Sequence, residues 1–186
     1  AQARDMASAT GWYFAEDSGR GWRRMVASPK PKKILDLKTI DALLDAGVIP
    51  IACGGGGVPV LHGDDGHWSG VAAVIDKDLT SAMLAAHLHA DALIMLTGVE
   101  QVALDFNKPT QRPLDHMTLA QARQYTAEGQ FPAGSMGPKI EAAISYLEEL
   151  PNANHEGEVI ITSLERAFDA LMGRAGTHIT CEARKR

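Results

Sequence analysis

The sequence predicts an α/β fold, a three-layer α/β/α sandwich around an open, mainly parallel sheet. From about residue 34 onward, short apolar runs alternate with amphipathic segments of helical period. Strands that alternate with helices form a mostly parallel sheet covered on both faces. Two of the runs, Ala92 to Thr97 and Val159 to Thr162, are almost wholly apolar. That composition is typical of strands whose two faces are both buried.

Composition and charge narrow the class of protein. The chain has 186 residues, of which 45% are hydrophobic and 22% charged, as expected for a soluble globular domain. A net charge of −5 argues against nucleic acid as the main partner. No apolar run reaches the length of a membrane helix. The two cysteines, Cys53 and Cys181, lack metal-type spacing, and none of the scattered histidines adjoins a cysteine cluster. We therefore predict a cytoplasmic protein without a metal site of its own.

The first 33 residues differ from the rest. Residues 1–10 read as a helix already under way, which Gly11 ends, so a fragment of a longer protein is expected. Residues 11–33 are dense in Trp, Arg, Gly, Pro and Lys, and they predict a small irregular flap with short strands at residues 12–14 and 23–27. The prolines of Ser28-Pro29-Lys30-Pro31 close this segment, because each disfavours helix in the residue before it.

The helices and strands beyond the flap are predicted from hydrophobic periodicity and from capping, glycine and proline signals. Two capping boxes, Thr118 with Gln121 and Thr162 with Glu165, predict helix starts. In order, we predict a helix from Leu37 ended by Gly47, a strand at Val48–Ala52, two strands at Val58–Leu61 and Gly70–Val74 around a polar turn, a helix over 77–89, a strand at Ala92–Thr97, a helix from Thr118, a helix from Pro138 to about Leu150, a strand at Val159–Thr162, a helix to Met172 and a strand at Thr177–Thr180.

The loop Gly134-Ser135-Met136-Gly137-Pro138-Lys139 is the most informative motif. A glycine-rich loop that leads into a helix N-terminus is a natural phosphate site, because free N–H groups and the positive dipole end point at the ligand. Lys139 stands where the helix dipole disfavours a cation, which suggests an anion that offsets the cost. The alternative is a solvated lysine after an ordinary loop.

A second motif, Asp76-Lys77-Asp78, lies at a predicted strand-to-helix junction. It can hold a phosphoryl group through Lys77, with Asp78 orienting lysines or a metal, since phosphoryl transfer needs positive charge on the equatorial oxygens. The alternative is routine helix capping by either aspartate.

A third motif, Gly54 to Gly57, follows the predicted strand ending at Cys53. Four glycines can form a nest of N–H groups facing an anion, and the alternative is a flexible turn. The chain contains neither a P-loop nor a dinucleotide fingerprint.

Taken together in order, these motifs resemble carbamate kinase, of the amino acid kinase superfamily, in its C-terminal portion. The resemblance rests on Gly19-Arg20-Gly21-Trp22-Arg23-Arg24, Ser28-Pro29-Lys30-Pro31, Gly54-Gly55-Gly56-Gly57-Val58-Pro59, Ala73-Val74-Ile75-Asp76-Lys77-Asp78, Gly134-Ser135-Met136-Gly137-Pro138-Lys139, Ile161-Thr162-Ser163-Leu164 and Ala175-Gly176-Thr177. It implies reversible phosphoryl transfer, with ADP and carbamoyl phosphate giving ATP and carbamate, which decays to ammonia and CO2. It also implies ATP or ADP with Mg²⁺, an amino acid kinase-like fold and a homodimer.

The resemblance assigns a role to each motif. Lys77 and Lys139 would hold the transferring phosphoryl group, and Asp78 would organise them. Gly54, Gly55, Gly56 and Gly57 would line the phosphate and carbamate end. Thr97, Gly98, Met136 and Gly137, with Lys139, would lie near the nucleotide. Residues 1–33 would be part of a protruding substrate flap, and residues 34–186 would be the nucleotide-binding domain.

Two departures from the family pattern leave alternatives open. The family carries a Gly-Gly-Asn anion-binding loop in an N-terminal portion that precedes this chain's first residue. The family also usually reads Leu-Thr-Asp where this chain has Leu96-Thr97-Gly98. The alternatives are therefore a non-catalytic nucleotide-binding fragment and another amino acid kinase that acts on a carboxylate substrate.

Overall fold

The computed structural model describes residues 2–16, 21–132, 134–150 and 157–182. Gly19 and Arg20, which belong to the first motif of the resemblance, lie outside them. The helices and strands in chain order are α1 Gln2–Thr10, β1 Phe14–Glu16, β2 Trp22–Arg24, α2 Leu37–Asp45, β3 Val60–His62, β4 Trp68–Gly70, α3 Lys77–His87, β5 Ala92–Thr97, β6 Val102–Leu104, β7 Arg112–Leu114, β8 His116–Thr118, α4 Leu119–Ala127, α5 Met136–Glu149, β9 Glu158–Ser163, α6 Ala167–Leu171 and β10 Thr177–Thr180. None of these helices is long and apolar enough to cross a membrane.

The largest sheet has four strands in the order β5-β9-β10-β8. β5 pairs parallel with β9 over its whole length, and β10 pairs parallel with β8. β9 and β10 are antiparallel, so the sheet is mixed. The strand predicted at Ala92–Thr97 is confirmed residue for residue, and the strands predicted at Val159–Thr162 and Thr177–Thr180 are confirmed to within one residue.

The main core lies between one face of this sheet and the helices α3, α4 and α5. Alternate residues of β5 and β9, such as Met95 and Ile161, point into it, as the period of two in a strand requires. Alanines on α3 and α5 allow the two helices to approach closely, and the larger Ile140 and Tyr146 belong to the same core. The Tyr146 hydroxyl donates a hydrogen bond to the Ala90 carbonyl, so the buried ring keeps its polar atom satisfied.

A smaller core on the other face completes the three layers. Ile94 and Ile160 point to this side, where Ala170 of α6 covers Ile160. The helix start predicted here from Thr162 and Glu165 is wrong. A 3-10 turn at Leu164–Arg166 follows β9, Ser163 occupies the cap position without a side-chain bond, and the buried Thr162 hydroxyl has no hydrogen-bond partner among the described residues.

The other predicted capping box is confirmed. Thr118 Oγ1 accepts a bond from the Gln121 amide at 3.2 Å, and the Gln121 side chain accepts one from the Thr118 amide at 2.9 Å. This box opens α4 at the end of β8.

The strand predicted at Val48–Ala52 is wrong. These residues carry no helix or strand assignment, and Ile49 and Ile51 are almost fully exposed. An apolar run becomes a strand only where a neighbouring strand pairs with its amides, and no described strand lies beside this one.

Three hairpins flank the main sheet. β1 pairs with β2, β3 pairs with β4 around Gly63–Gly66, and β6 pairs with β7. Strands were predicted in the first two of these segments, and the bounds of β1 and β3 differ from the prediction by two residues or fewer. The strand predicted at Gly70–Val74 is wrong beyond Gly70, because β4 ends there and the described residues that follow make one parallel bridge, between Ala27 and Ala73.

Candidate functional site

A buried ion pair joins the N-termini of α3 and α5. Lys139 Nζ lies 2.8 Å from Asp78 Oδ2, and the two side chains are only 11% and 12% exposed. Asp78 is the second residue of α3 and Lys139 the fourth of α5. Burying two charges is costly unless each satisfies the other, so this pair is a strong constraint on how the two helices meet.

Lys77 approaches the same carboxylate oxygen from the surface. Its Nζ lies 3.6 Å from Asp78 Oδ2, and its side chain is 62% exposed. Asp76 has a different task, because its Oδ1 caps α3 by accepting bonds from the Asp78 and Leu79 amides at 2.8 and 3.2 Å. The capping interpretation of the Asp76-Lys77-Asp78 motif is therefore confirmed for Asp76, whereas Asp78 contacts two lysines and its role toward a phosphoryl group stays a prediction.

The glycine motif forms a tight turn against the start of α3. Gly54–Gly56 is a 3-10 turn, and Thr80 Oγ1 lies 3.1 Å from the Gly56 carbonyl, to which it donates. A Cβ built on Gly56 would stand 1.9 Å from the Ile75 carbonyl oxygen, and its φ of +93° is in the left-handed region. Only glycine fits there.

This turn supplies fewer amides than a full nest. The Gly56 amide donates to Cys53 O at 3.0 Å, and the Gly57 amide donates to Gly54 O at 3.1 Å. The amides of Gly54 and Gly55 are therefore the ones that an anion would use. Partial burial raises the pKa of the neighbouring Cys53 thiol, so this cysteine is held protonated rather than as a reactive thiolate.

The loop before α5 folds back on itself. The Gly137 amide donates to the Pro132 carbonyl at 2.9 Å, and a Cβ on Gly137 would stand 2.9 Å from that oxygen. Pro138 lies in the first turn of α5, as predicted, where its missing N–H costs no hydrogen bond. Lys139 follows directly, so the loop sets the position from which its side chain reaches Asp78.

A cavity of about 300 Å³ opens beside this loop, at the carboxyl end of β5. Thr97, Gly98 and Met136, three of the residues predicted to lie near a nucleotide, line its wall. Ligands in α/β sheets bind at such strand ends. Gly137 and Lys139, predicted with them, are not in the wall, and Lys139 points to Asp78 instead.

Sequence reasoning missed two aromatic rings in this wall. Phe106 follows β6, and Phe131 precedes the glycine loop. Gln101 is a third missed residue, whose amide donates to Asp115 at 2.6 Å and to the Gly176 carbonyl at 3.3 Å. Neither ring belongs to a periodic pattern. The only signal in the sequence was that each ring lies next to a loop at the edge of the sheet.

Gly98 leaves its part of the wall open. A Cβ built on it would meet no atom within 4 Å, and its backbone is not in the left-handed region. A larger residue would therefore fit at the mouth of the cavity without strain.

The described residues do not form a metal site by themselves. No three histidine, cysteine or carboxylate side chains converge within the part of the chain that the structure describes. The carboxylates nearest the site are committed, Asp76 to the cap and Asp78 to the lysines.

The fold and this pair of lysines on one aspartate define a class of protein, and comparison with known proteins identifies it. The family model for the amino acid kinase family matches residues 3–163. The chain therefore belongs to the amino acid kinase family.

Relatives of this chain include carbamate kinases. Carbamate kinase from Staphylococcus haemolyticus is 49% identical over 178 residues, which are 96% of this chain and 56% of the relative. The carbamate kinase-like protein YahI from Escherichia coli is 49% identical over 90% of this chain and 52% of its own length. A carbamate kinase from Giardia lamblia, solved with AMP-PNP bound, superposes with a TM-score of 0.84 at 41% identity, covering 96% of this chain and 55% of that one. The chain thus spans about half the length of the relatives it matches.

Proposed function

We propose that this chain carries the phosphoryl-transfer site of a carbamate kinase. The reaction moves a phosphoryl group between ATP and carbamate, and in the ATP-forming direction it converts ADP and carbamoyl phosphate into ATP and carbamate. Carbamate then decays to ammonia and CO2. The observation that carries the proposal is the buried Asp78–Lys139 pair, with Lys77 on the same carboxylate, next to an open cavity.

The two lysines would stabilise the transferring group. Its charge spreads over three equatorial oxygens in the transition state, so fixed cations close to them lower the barrier. Asp78 would hold both ammonium groups without itself touching the phosphate. Lys139 is nearly buried, so its charge acts where water screens it little. Lys77, being exposed, would tighten on the phosphate only when the substrate is present.

The cavity would take the nucleotide base. Its volume and its two phenylalanine rings suit a flat aromatic group, while Thr97 and Gln101 offer polar atoms for orientation. The Giardia lamblia relative, solved with AMP-PNP, supports a nucleotide here. The glycine turn at Gly54–Gly57 would face the phosphate and carbamate end. We propose that residues 1–33 form part of a flap and residues 34–186 the nucleotide-binding domain.

Magnesium would bind together with the nucleotide rather than at a preformed site of the protein. Mg²⁺ keeps most of its water and is commonly held through substrate phosphates with one or two carboxylates. Asp76 and Asp78 fit such a role only as neighbours, since both are already bonded. When bound, the ion would neutralise phosphate charge. The homodimer implied by the resemblance and the cytoplasmic location predicted from the composition stay predictions.

The test is ATP formation from ADP, Mg²⁺ and carbamoyl phosphate, followed with a coupled assay. Lys139→Ala is expected to lower turnover by orders of magnitude, because the transition state loses its least screened cation. The matched control is Lys38→Ala, which removes an exposed lysine of α2 and should leave turnover unchanged.

Three outcomes decide between the alternatives. Turnover in the wild-type chain that is lost only with Lys139 supports the proposal. Turnover that survives Lys139→Ala removes this lysine from the mechanism. ADP binding measured by calorimetry without any ATP formation would favour a nucleotide-binding role and contradict transfer by this chain.

A further inference from the structure

The segment Ala27–Pro31, here called the strap, leads from the β1–β2 hairpin toward the site. Its first anchor is a backbone contact. The Val74 amide donates to the Ala27 carbonyl at 2.9 Å, and Ala27 pairs with Ala73 in a parallel bridge. These partners lie two and three residues before Asp76, which caps α3.

The second anchor is an ion pair at the far end of the strap. The Lys30 ammonium contacts the Glu141 carboxylate of α5, with the side chains 76% and 46% exposed. The hydrogen bond and the charge of Glu141 raise the pKa of Lys30 above its usual value. Glu141 follows Lys139 by two residues, which turns it about 200° away around the helix. Lys139 thus faces Asp78 while Glu141 faces the strap.

One anchor lies just before α3 and the other lies on α5, and the N-termini of these two helices meet at the Asp78–Lys139 pair. Between them the strap is Ser28-Pro29, and Pro31 follows Lys30. Proline fixes φ, so this short segment is stiff, and a displacement of one of its ends moves the other end as well. A movement of the hairpin therefore reaches the segment before α3 at Ala73–Val74, and it reaches α5 at Glu141.

We propose that Lys30 and Glu141 are positioning residues whose ion pair latches the strap, and with it the β1–β2 hairpin, to the start of α5. Its consequence for substrate binding rests on the proposed function, in which the hairpin belongs to the flap over carbamate. The Lys30–Glu141 pair is weak, because exposed ion pairs contribute little to stability and are screened by salt. A weak latch permits the hairpin to release and redock within each catalytic cycle.

The direct reporter of the latch is the Val74 amide, since its bond to Ala27 forms only when the strap is docked. Hydrogen exchange of this amide, followed by NMR on the whole chain, is expected to speed up about two- to fivefold in Lys30→Glu and in Glu141→Lys, the range for an exposed ion pair. The double variant Lys30→Glu/Glu141→Lys restores the pair with reversed charges and should return the rate to the wild-type value.

Two controls separate the latch from general effects. Lys33→Glu makes the same charge change three residues along and should leave Val74 unchanged. The Gly63 amide, bonded to the His67 carbonyl in the β3–β4 hairpin, should exchange at one rate in every variant. In 1 M NaCl the difference in Val74 exchange rate between the single variants and the wild type should shrink, because salt screens these charges. Unchanged exchange in the single variants, or no recovery in the double variant, would overturn the latch.

The functional consequence is read from substrate constants. The single variants should raise KM for carbamoyl phosphate about two- to fivefold while the dissociation constant for ADP stays unchanged, because the strap does not line the nucleotide cavity. Faster Val74 exchange with an unchanged KM would reduce the pair to a structural contact and overturn its positioning role. If neither the wild type nor any variant transfers phosphate, the proposed function is wrong. Amide exchange then still tests whether the ion pair holds the strap on α5.

Discussion

Residues 2–76 and residues 77–182 are built differently. In the described part of the first region, Ile40 and Gly56 alone are buried, whereas the second contains every other buried residue. The first region also exposes large apolar side chains, among them Ile49, Ile51, Val58 and Trp22. The second surrounds a core with helices on one face of a sheet and α6 on the other.

The difference shows which contacts hold the candidate site together. Asp78 and Lys139 lie on helices of the packed region, and all residues that line the cavity beside β5 belong to that region too. The glycine turn belongs to the loosely packed region and reaches α3 through Thr80 and the close approach of Gly56 to Ile75. The comparison predicts that like substitutions in the two regions have unlike effects.

The largest contrast is expected from one substitution made in both regions. Ile161→Ala opens a cavity in a fully buried position of β9 and should lower the free energy of unfolding by about 2–5 kcal/mol. Ile51→Ala, at a fully exposed position, should change it by less than about 0.5 kcal/mol. Urea unfolding followed by far-UV circular dichroism measures both. A loss of comparable size at Ile51 would show that its region is packed in solution.

The next contrast compares two glycines of one turn. Gly56→Ala places a Cβ against the Ile75 carbonyl, which should cost about 1–3 kcal/mol beyond the strain of its positive φ, because backbone must move. Gly57→Ala carries a similar positive φ but meets no atom within 4 Å, so only the backbone strain of about 1–3 kcal/mol remains. The Thr80 amide resonance should shift in the first variant and not in the second. Equal shifts would contradict the close approach at Gly56.

Two threonines of the packed region should respond with opposite signs. Thr118→Ala removes the cap of α4 and should destabilise the chain by about 1 kcal/mol. Thr162→Val keeps the shape but removes a buried hydroxyl without a partner, so stability should rise by up to about 1 kcal/mol. Thermal unfolding of the two variants beside the wild type tests this. A destabilised Thr162→Val would reveal a partner for that hydroxyl.

The smallest effect is a slope at alkaline pH. Burial, and then the charges of Asp91 and Cys181, raise the pKa of Tyr146 above its usual value near 10. A folded-state pKa above the unfolded value means that the stabilising contribution is present below about pH 10 and is lost as pH rises above it. Tyr146→Phe should flatten the decline of stability above pH 10. The control Tyr13→Phe, at an exposed ring, should keep the wild-type slope.

The sequence was most informative where one local pattern decides the outcome. The uninterrupted apolar run of β5, the Thr118–Gln121 box and the glycine loop before Pro138 each fix their structure within a few residues, and all were predicted. Asp78 was expected to organise two lysines from different segments, and the structure brings both to one oxygen.

The wrong predictions depended on partners distant in sequence. Val48–Ala52 has the composition of a strand, but pairing decides strands, and no described strand pairs with it. Thr162 and Glu165 have capping-box spacing, yet Thr162 is fully buried within β9 and Ser163 takes the cap position. The rings of Phe106 and Phe131 line one cavity only because the segment after β6 and the loop before α5 converge, which no periodicity encodes.

All ten residues that line the cavity beside β5 fall between Thr97 and Met136. The cavity is therefore local in sequence, although its walls also need distant partners, since β5 pairs with β9 and Gln101 donates to the Gly176 carbonyl. A nucleotide bound there would stabilise the folded form by an amount that grows with the logarithm of its concentration, because it would bind only where the cavity is intact. The first 76 residues contribute nothing to the lining, so the ligand would act on them only through their contacts with the packed region.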